Sequence, residues 1–125
     1  MPFLLKTEPD KYSFDDLVRD GETTWDGISN NTALQNLRNM KKGEKLIIYH
    51  SNVGKAAIGT ATVVSVDATN PKDPKVRIKP GKRLKQEKSL TDMRGVAVFN
   101  DSILLRQLRL SVVPLTDAQY DWLVS

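Results

Sequence analysis

The 125-residue sequence contains no cysteine. That excludes disulfides, thiolate nucleophiles and cysteine-ligated zinc, and it fits a reducing cytoplasmic interior, or a nuclear one in a eukaryote. Histidine is nearly absent too: His50 stands alone, so a histidine-based metal centre would need carboxylates to complete it. There is no H-E-x-x-H, no G-x-G-x-x-G, no P-loop and no G-x-S-x-G elbow, so neither a metal nor a nucleotide cofactor is expected. No apolar run approaches the length of a membrane helix. Residues 1–8 also lack the basic segment of a signal peptide. Without repeats, low-complexity tracts or a long linker, residues 1–125 read as one domain, expected to be a monomer.

What is present is an ordinary globular composition, 39% apolar and 27% charged, far from the disorder signature. The net charge of +4 is distributed unevenly. Residues 1–26 carry three Lys/Arg against seven Asp/Glu, whereas residues 72–88 carry eight basic residues against two acidic ones. The second segment, Lys72, Lys75, Arg77, Lys79, Lys82, Arg83, Lys85 and Lys88, reads either as a solvated Lys-rich hairpin or as a polyanion contact. Local potential and counterion release decide polyanion binding, so this clustering matters more than the total.

Apolar periodicity outlines the elements. Phe3 to Thr7 predicts a strand, stopped by the turn at Glu8-Pro9-Asp10. Ser13 predicts an N-cap for a short helix with Phe14, Leu17 and Val18 facing inward, ended by Gly21. Thr23 to Asn31 reads as loop, and Thr32 onward as a helix capped by Gly43. Leu46 to Tyr49 predicts a strand covered on both faces, and Ala57 to Val66 an alternating strand. Gly59 suggests that another backbone or a ligand comes close there. Val76 to Lys79 and Lys82 to Glu87 read as separate extended pieces, followed by short helices after Ser89 and Ser102. Leu110 to Val113 predicts a last strand, and Thr116 with Gln119 a capping box for a last helix. Five to six short strands with scattered short helices indicate an α+β fold, a small mixed barrel.

Polar residues cluster where strands end: Lys6, Thr7 and Glu8; His50, Ser51 and Asn52; Arg109 and Ser111; with Trp25 and Asn30 in the irregular segment. Trp can stack on a base, and Asn, Ser, Thr and His supply the mixed donors and acceptors a base edge needs. Each also has a structural alternative: Trp25 as a core residue, Asn30 as a helix cap, His50 as a side chain that hydrogen-bonds a carbonyl at a strand end. Spacing alone does not bring these segments together.

Lys6-Thr7-Glu8-Pro9, Tyr12-Ser13-Phe14, Trp25-Asp26-Gly27-Ile28 and Asn30 resemble the opening of the EVE domain. The likeness continues through Asn36-Leu37-Arg38, Tyr49-His50-Ser51, Ile58-Gly59-Thr60-Ala61 and Arg109-Leu110-Ser111-Val112, in the family's order. The first-strand Lys-Thr and the Trp segment are also similar to YTH domains, and the family is grouped with PUA and ASCH domains. The resemblance implies a PUA-like barrel that binds nucleic acid, DNA or RNA, through a modified, flipped or single-stranded base. Its base pocket would use Lys6, Thr7, Trp25, Asn30, His50, Ser51 and Arg109, without catalysis. Trp25 would stack, Asn30 and Ser51 would read the base edge, His50 would orient the base or hydrogen-bond to it, and Lys6 and Arg109 would meet phosphate. Lys72, Lys75, Arg77, Lys79, Lys82, Arg83 and Lys85 would hold the flanking backbone. Ser29 and Asn31 stand where many relatives carry Arg and Tyr, which leaves the ligand open.

Two alternatives follow. Some ASCH-type relatives hydrolyse acylated nucleosides with Lys, Thr and Glu, and this chain offers Lys6, Thr7 and Glu8. Strand alternation, however, sends Thr7 to the face opposite Lys6 and Glu8. A protein-interaction module using Tyr120 or Trp122 is the third reading.

Overall fold

The apolar runs form six strands of one sheet in the computed structural model, which describes residues 1–26 and 28–125. They are β1 (Phe3–Thr7), β2 (Thr23–Trp25), β3 (Lys45–His50), β4 (Ala56–Asp67), β5 (Lys75–Ser89) and β6 (Val112–Pro114). The order across the sheet is β2-β5-β4-β3-β1-β6. Strands β1 and β3 run parallel, Phe3 opposite Leu46 through Thr7 opposite His50, and every other pair is antiparallel. The β4–β5 ladder shifts register three times between Ala57 and Ser65, and β3–β4 shifts once at Ile48/Tyr49. Each bulge adds local twist. Together they curl the sheet into a half-barrel, the small mixed architecture that the strand and helix pattern predicts and the PUA-like form that the family resemblance implies.

Among the described residues five helices close around it: α1 (Phe14–Asp20), α2 (Asn31–Arg38), α3 (Leu90–Arg94), α4 (Ile103–Arg106) and α5 (Asp117–Val124), with a 3-10 turn at Ala97–Phe99. All five are too short to be stable alone, so caps and packing hold them. Ser13 with Asp16, Ser89 with Asp92, and Thr116 with Gln119 make reciprocal capping boxes. Among the described residues no helix is long and apolar enough to cross a membrane. The core between sheet and helices contains Leu4, Leu5, Phe14, Leu17, Leu37, Ile47, Ile48, Ile78, Met93 and Phe99, all buried.

Several details differ from the sequence reading, each for a local reason. Val18 is 52% exposed, because α1 has room for one inward ridge, filled by Phe14 and Leu17. Thr23–Trp25 is an edge strand on Val76–Ile78 rather than loop; three residues are too few to show a period. Gly27, in the same segment, lies outside the described residues. Asn39 caps α2, while Gly43 adopts φ 89 in the following turn, where its N–H donates to Val63 O at 2.8 Å. The last strand starts at Val112, two residues late. Strand β5 runs unbroken through Pro80-Gly81, so the basic segment is one long bent strand and not a hairpin of its own. What comes close at Gly59 is a side chain: a Cβ there would overlap the ring of Phe14, so the missing side chain seats α1 on the sheet.

Candidate functional site

Curling brings β2, at one end of the sheet order, face to face with β1, next to the other end. Between them lies a cleft of about 490 Å³, lined by Lys6, Thr7, Glu8, Lys11, Tyr12, Thr23, Thr24, Trp25, Asp26 and Ile28. That volume lies within the usual range of small-molecule sites. The Glu8–Tyr12 turn bridges the two walls, with the N–H groups of Lys11 and Tyr12 both donating to Glu8 O at 3.0 and 2.9 Å. The Thr7 hydroxyl donates to Tyr12 O at 2.6 Å and ties that turn to β1. Tyr12 then packs edge-on against Trp25, with ring centroids 6.3 Å apart, while its own hydroxyl donates to Asp20 Oδ2 at 2.8 Å. Trp25 is 9% exposed and forms a wall of the cleft as well as part of the core. Tyr12 is the half-buried aromatic of the pair.

Charges in the cleft nearly balance. Lys11 Nζ bridges Glu8 at 3.0 Å, and this hydrogen-bonded cation holds the Glu8 carboxyl below its ordinary pKa. Asp26 is exposed on the lining. Lys6 lines the cleft, but its ammonium donates to Leu108 O at 2.8 Å and lies 5.7 Å from the Tyr49 ring centroid. Burial lowers its pKa.

Of the residues expected in one pocket, Lys6, Thr7 and Trp25 line this cleft. Lys6 and Ser51 share a neighbouring one of about 180 Å³. Asn30 is the N-cap of α2, its Oδ1 accepting from Ala33 N–H at 3.0 Å. His50 Nε2 accepts from Phe14 N–H at 3.0 Å, so the ring supports the start of α1 in its neutral form. Burial, and then the charge of Arg83, lower its pKa. Arg109 is exposed in the turn before β6. Sequence reasoning left Tyr12, Lys11, Thr23, Thr24, Asp26 and Ile28 out of the site and gave Glu8 only to the hydrolytic alternative. Tyr12 was within reach, since it belongs to the same short turn as the end of β1.

The seven basic residues expected to hold backbone, Lys72 to Lys85, are all exposed. Two are already paired: Arg77 with Glu22 at 3.3 Å, and Arg83 with Asp15. Lys88, the eighth in the charged segment, is buried, and its ammonium donates to Ser125 O at 2.9 Å. Lys6, Thr7 and Glu8 all line the cleft despite the alternation expected of a strand, because β1 ends at Thr7, but each is engaged: the Lys6 ammonium by Leu108, the Thr7 hydroxyl proton by Tyr12, and Glu8 by Lys11. Trp122 packs inward against Phe99 at 5.5 Å, and Tyr120 lies beside Lys45.

Comparison with known proteins places this geometry. Human thymocyte nuclear protein 1 is 25% identical over 162 residues, which cover 98% of this chain and 72% of the human protein. A crystal structure of that protein in complex with DNA containing 5-methylcytosine matches with a TM-score of 0.88, at 25% identity over 98% of this chain and 95% of the other. A protein of Agrobacterium tumefaciens matches with a TM-score of 0.91, at 30% identity over 98% of this chain and 90% of the other. An ASCH protein of Zymomonas mobilis, at 10% identity and a TM-score of 0.61 over 98% of this chain and 96% of the other, shares the fold. The EVE domain model matches residues 2–125, and the chain belongs to the EVE domain family.

Proposed function

We propose that the protein binds nucleic acid by taking one modified base, extruded or single-stranded, into the cleft between β1 and β2. The observation that carries this is the cleft itself: the Tyr12–Trp25 aromatic pair flanked by hydroxyl and carboxylate side chains, on the fold of a relative bound to 5-methylcytosine DNA. Tyr12 supplies the stacking surface, because Trp25 is too enclosed to offer a whole ring face. Such stacking contributes about 1–3 kcal/mol per base.

The polar lining narrows the class of base. Carboxylates beside a polyanion raise the cost of binding unless they accept hydrogen bonds from it, and a carboxylate suits the exocyclic amine of cytosine. Asp26 and Glu8 therefore favour an amino-bearing base, with Thr23 and Thr24 as further partners. The exposed lysines of β5, led by Lys79, Lys82 and Lys85, hold flanking phosphates. His50 and Asn30 act from behind, by fixing the starts of α1 and α2.

The test compares oligonucleotides carrying 5-methylcytosine, cytosine or thymine at one position by fluorescence anisotropy. Thymine keeps the methyl group of 5-methylcytosine and replaces its amine by a carbonyl. The expected order is 5-methylcytosine above cytosine, with thymine weakest, and Asp26→Asn narrowing the gap between the two methylated bases. Equal affinity for all three oligonucleotides would overturn the proposal.

A further inference from the structure

The smaller cleft differs from its charge-balanced neighbour in that its charged lining residues are all cations. It holds about 180 Å³ and is lined by Lys6, Tyr49, Ser51, Asn52, Lys55, Leu90 and Leu108, with two lysines and no carboxylate. Lys6 lines both clefts, so the two sites adjoin. We infer that the smaller cleft is a phosphate subsite, which takes the phosphate of the same nucleotide whose base enters the larger cleft. The inference rests on the base-binding reading for its partner, though its charge and geometry stand independently.

Several features fit a phosphate. The turn between β3 and β4 is pinned at both ends: Ser51 N–H donates to Thr7 O at 2.9 Å, and Leu90 N–H donates to Lys55 O at 3.1 Å. Within it Val53 N–H donates to Ser51 O at 2.8 Å, and Asn52, Gly54 and Lys55 adopt φ 67, 79 and 27. A pinned, tightly wound turn presents its side chains without further ordering, which lowers the cost of binding. The Ser51 hydroxyl and Asn52 amide are donors of the kind phosphate oxygens accept from. Lys55 is exposed and brings a cation to the rim. Lys6 is half-buried with a carbonyl as its hydrogen-bond partner, and a carbonyl leaves its full positive charge uncompensated. An anion in the cleft would supply that compensation, and a hydrogen bond to a charged partner is about twice as strong as a neutral one.

The division of labour is then physical. The larger cleft, with Glu8 and Asp26 offsetting its two lysines, gives phosphate no net attraction and accepts from a base; the smaller holds no carboxylate and lacks the room for a base beside a sugar. A nucleotide lying across Lys6 satisfies both.

Four probes added to the full chain test this: inorganic phosphate, 5-methyldeoxycytidine, and its 3′- and 5′-monophosphates. Inorganic phosphate is expected to shift the amide resonances of Ser51, Asn52 and Lys55 and to leave those of Thr23, Thr24 and Trp25 in place. One of the two monophosphates should bind about ten-fold more tightly than the nucleoside, as one charge-assisted contact allows. Lys55→Gln, on an exposed turn, should reduce that advantage to less than about three-fold and remove the phosphate shifts while leaving nucleoside affinity unchanged. A wild-type protein that binds nucleoside and both monophosphates equally overturns the subsite and leaves the base-binding reading intact. Shifts at Ser51–Lys55 with phosphate, but no binding of the nucleoside or of oligonucleotides, would support the subsite and overturn the base-binding reading. Phosphate shifts at Ser51–Lys55 that persist in Lys55→Gln, or their absence in the wild type, also overturn the subsite.

Discussion

The cleft at Trp25 and the outer face of β5 are both polar and both reachable by a nucleic acid, yet they are built on different physics. In the cleft, two aromatic rings are locked edge to face and the two lysines are matched by two carboxylates. On β5, residues 75, 77, 79, 83 and 85 place a cation at alternate positions of one exposed strand, with Val76, Ile78 and Leu84 turned inward. A balanced, preorganised cleft discriminates by shape and hydrogen bonding. A row of flexible cations attracts any polyanion and loses its grip as salt rises. The difference shows how one small sheet separates choosing a base from holding a strand.

The largest effects should come from breaking the cleft. Trp25→Ala removes a nearly enclosed aromatic that is also core, and it should cost about 3–5 kcal/mol in urea unfolding as well as abolish the preference for a modified base. Gly59→Ala should cost about 1–3 kcal/mol by forcing Phe14, and α1 with it, away from the sheet. Because α1 follows directly on Tyr12, base preference should weaken in that variant although Gly59 touches no ligand. Tyr12→Ala should reduce affinity for a modified oligonucleotide by about ten-fold or more, the size of one missing stack, with little change in the salt slope.

Much of the fold was legible from residues alone. Ser13, Ser89, Ser102 and Thr116 announce their helices because a cap is a local hydrogen bond, set by residues three apart. The continuous run Leu46–Tyr49 announces β3 because both of its faces are covered. What could not be read was set by tertiary contact. Strand β2 exists through its ladder to Val76–Ile78, and Gly59 is explained by a ring from another element. The candidate site was legible as a family pattern and as single residues. Its assembly depends on the curl that turns β2 toward β1, and no local period encodes a curl. For the same reason Asn30 and His50, conspicuous in the sequence, turn out to support helix starts from behind the cleft.

Smaller effects sharpen the other half of the comparison. Lys79→Ala with Lys85→Ala should weaken modified and unmodified oligonucleotides equally and flatten the salt dependence by about 0.7–0.9 for each phosphate no longer neutralised. Substituting Arg77 should do less, since Glu22 and Thr24 already engage it. The smallest expected effect is a pH dependence at His50. Burial depresses its pKa in the folded protein, so the unfolded chain takes up a proton near pH 6.5 that the folded chain refuses. Its contribution is therefore complete above about pH 6.5 and declines as pH falls from there toward the lower folded value. Urea midpoints measured between pH 7.5 and 5.5 should fall in the wild type and fall less in His50→Gln, whose carbonyl can still accept from Phe14 N–H.

The most direct test of the separation between choosing and holding is the affinity ratio for 5-methylcytosine over thymine at one position of a single-stranded oligonucleotide, followed across salt concentration. The ratio should stay constant while both affinities fall, survive Lys79→Ala with Lys85→Ala, and collapse toward one in Tyr12→Ala. A ratio that vanishes with salt, or that persists in Tyr12→Ala and disappears with the two lysines, would contradict the account.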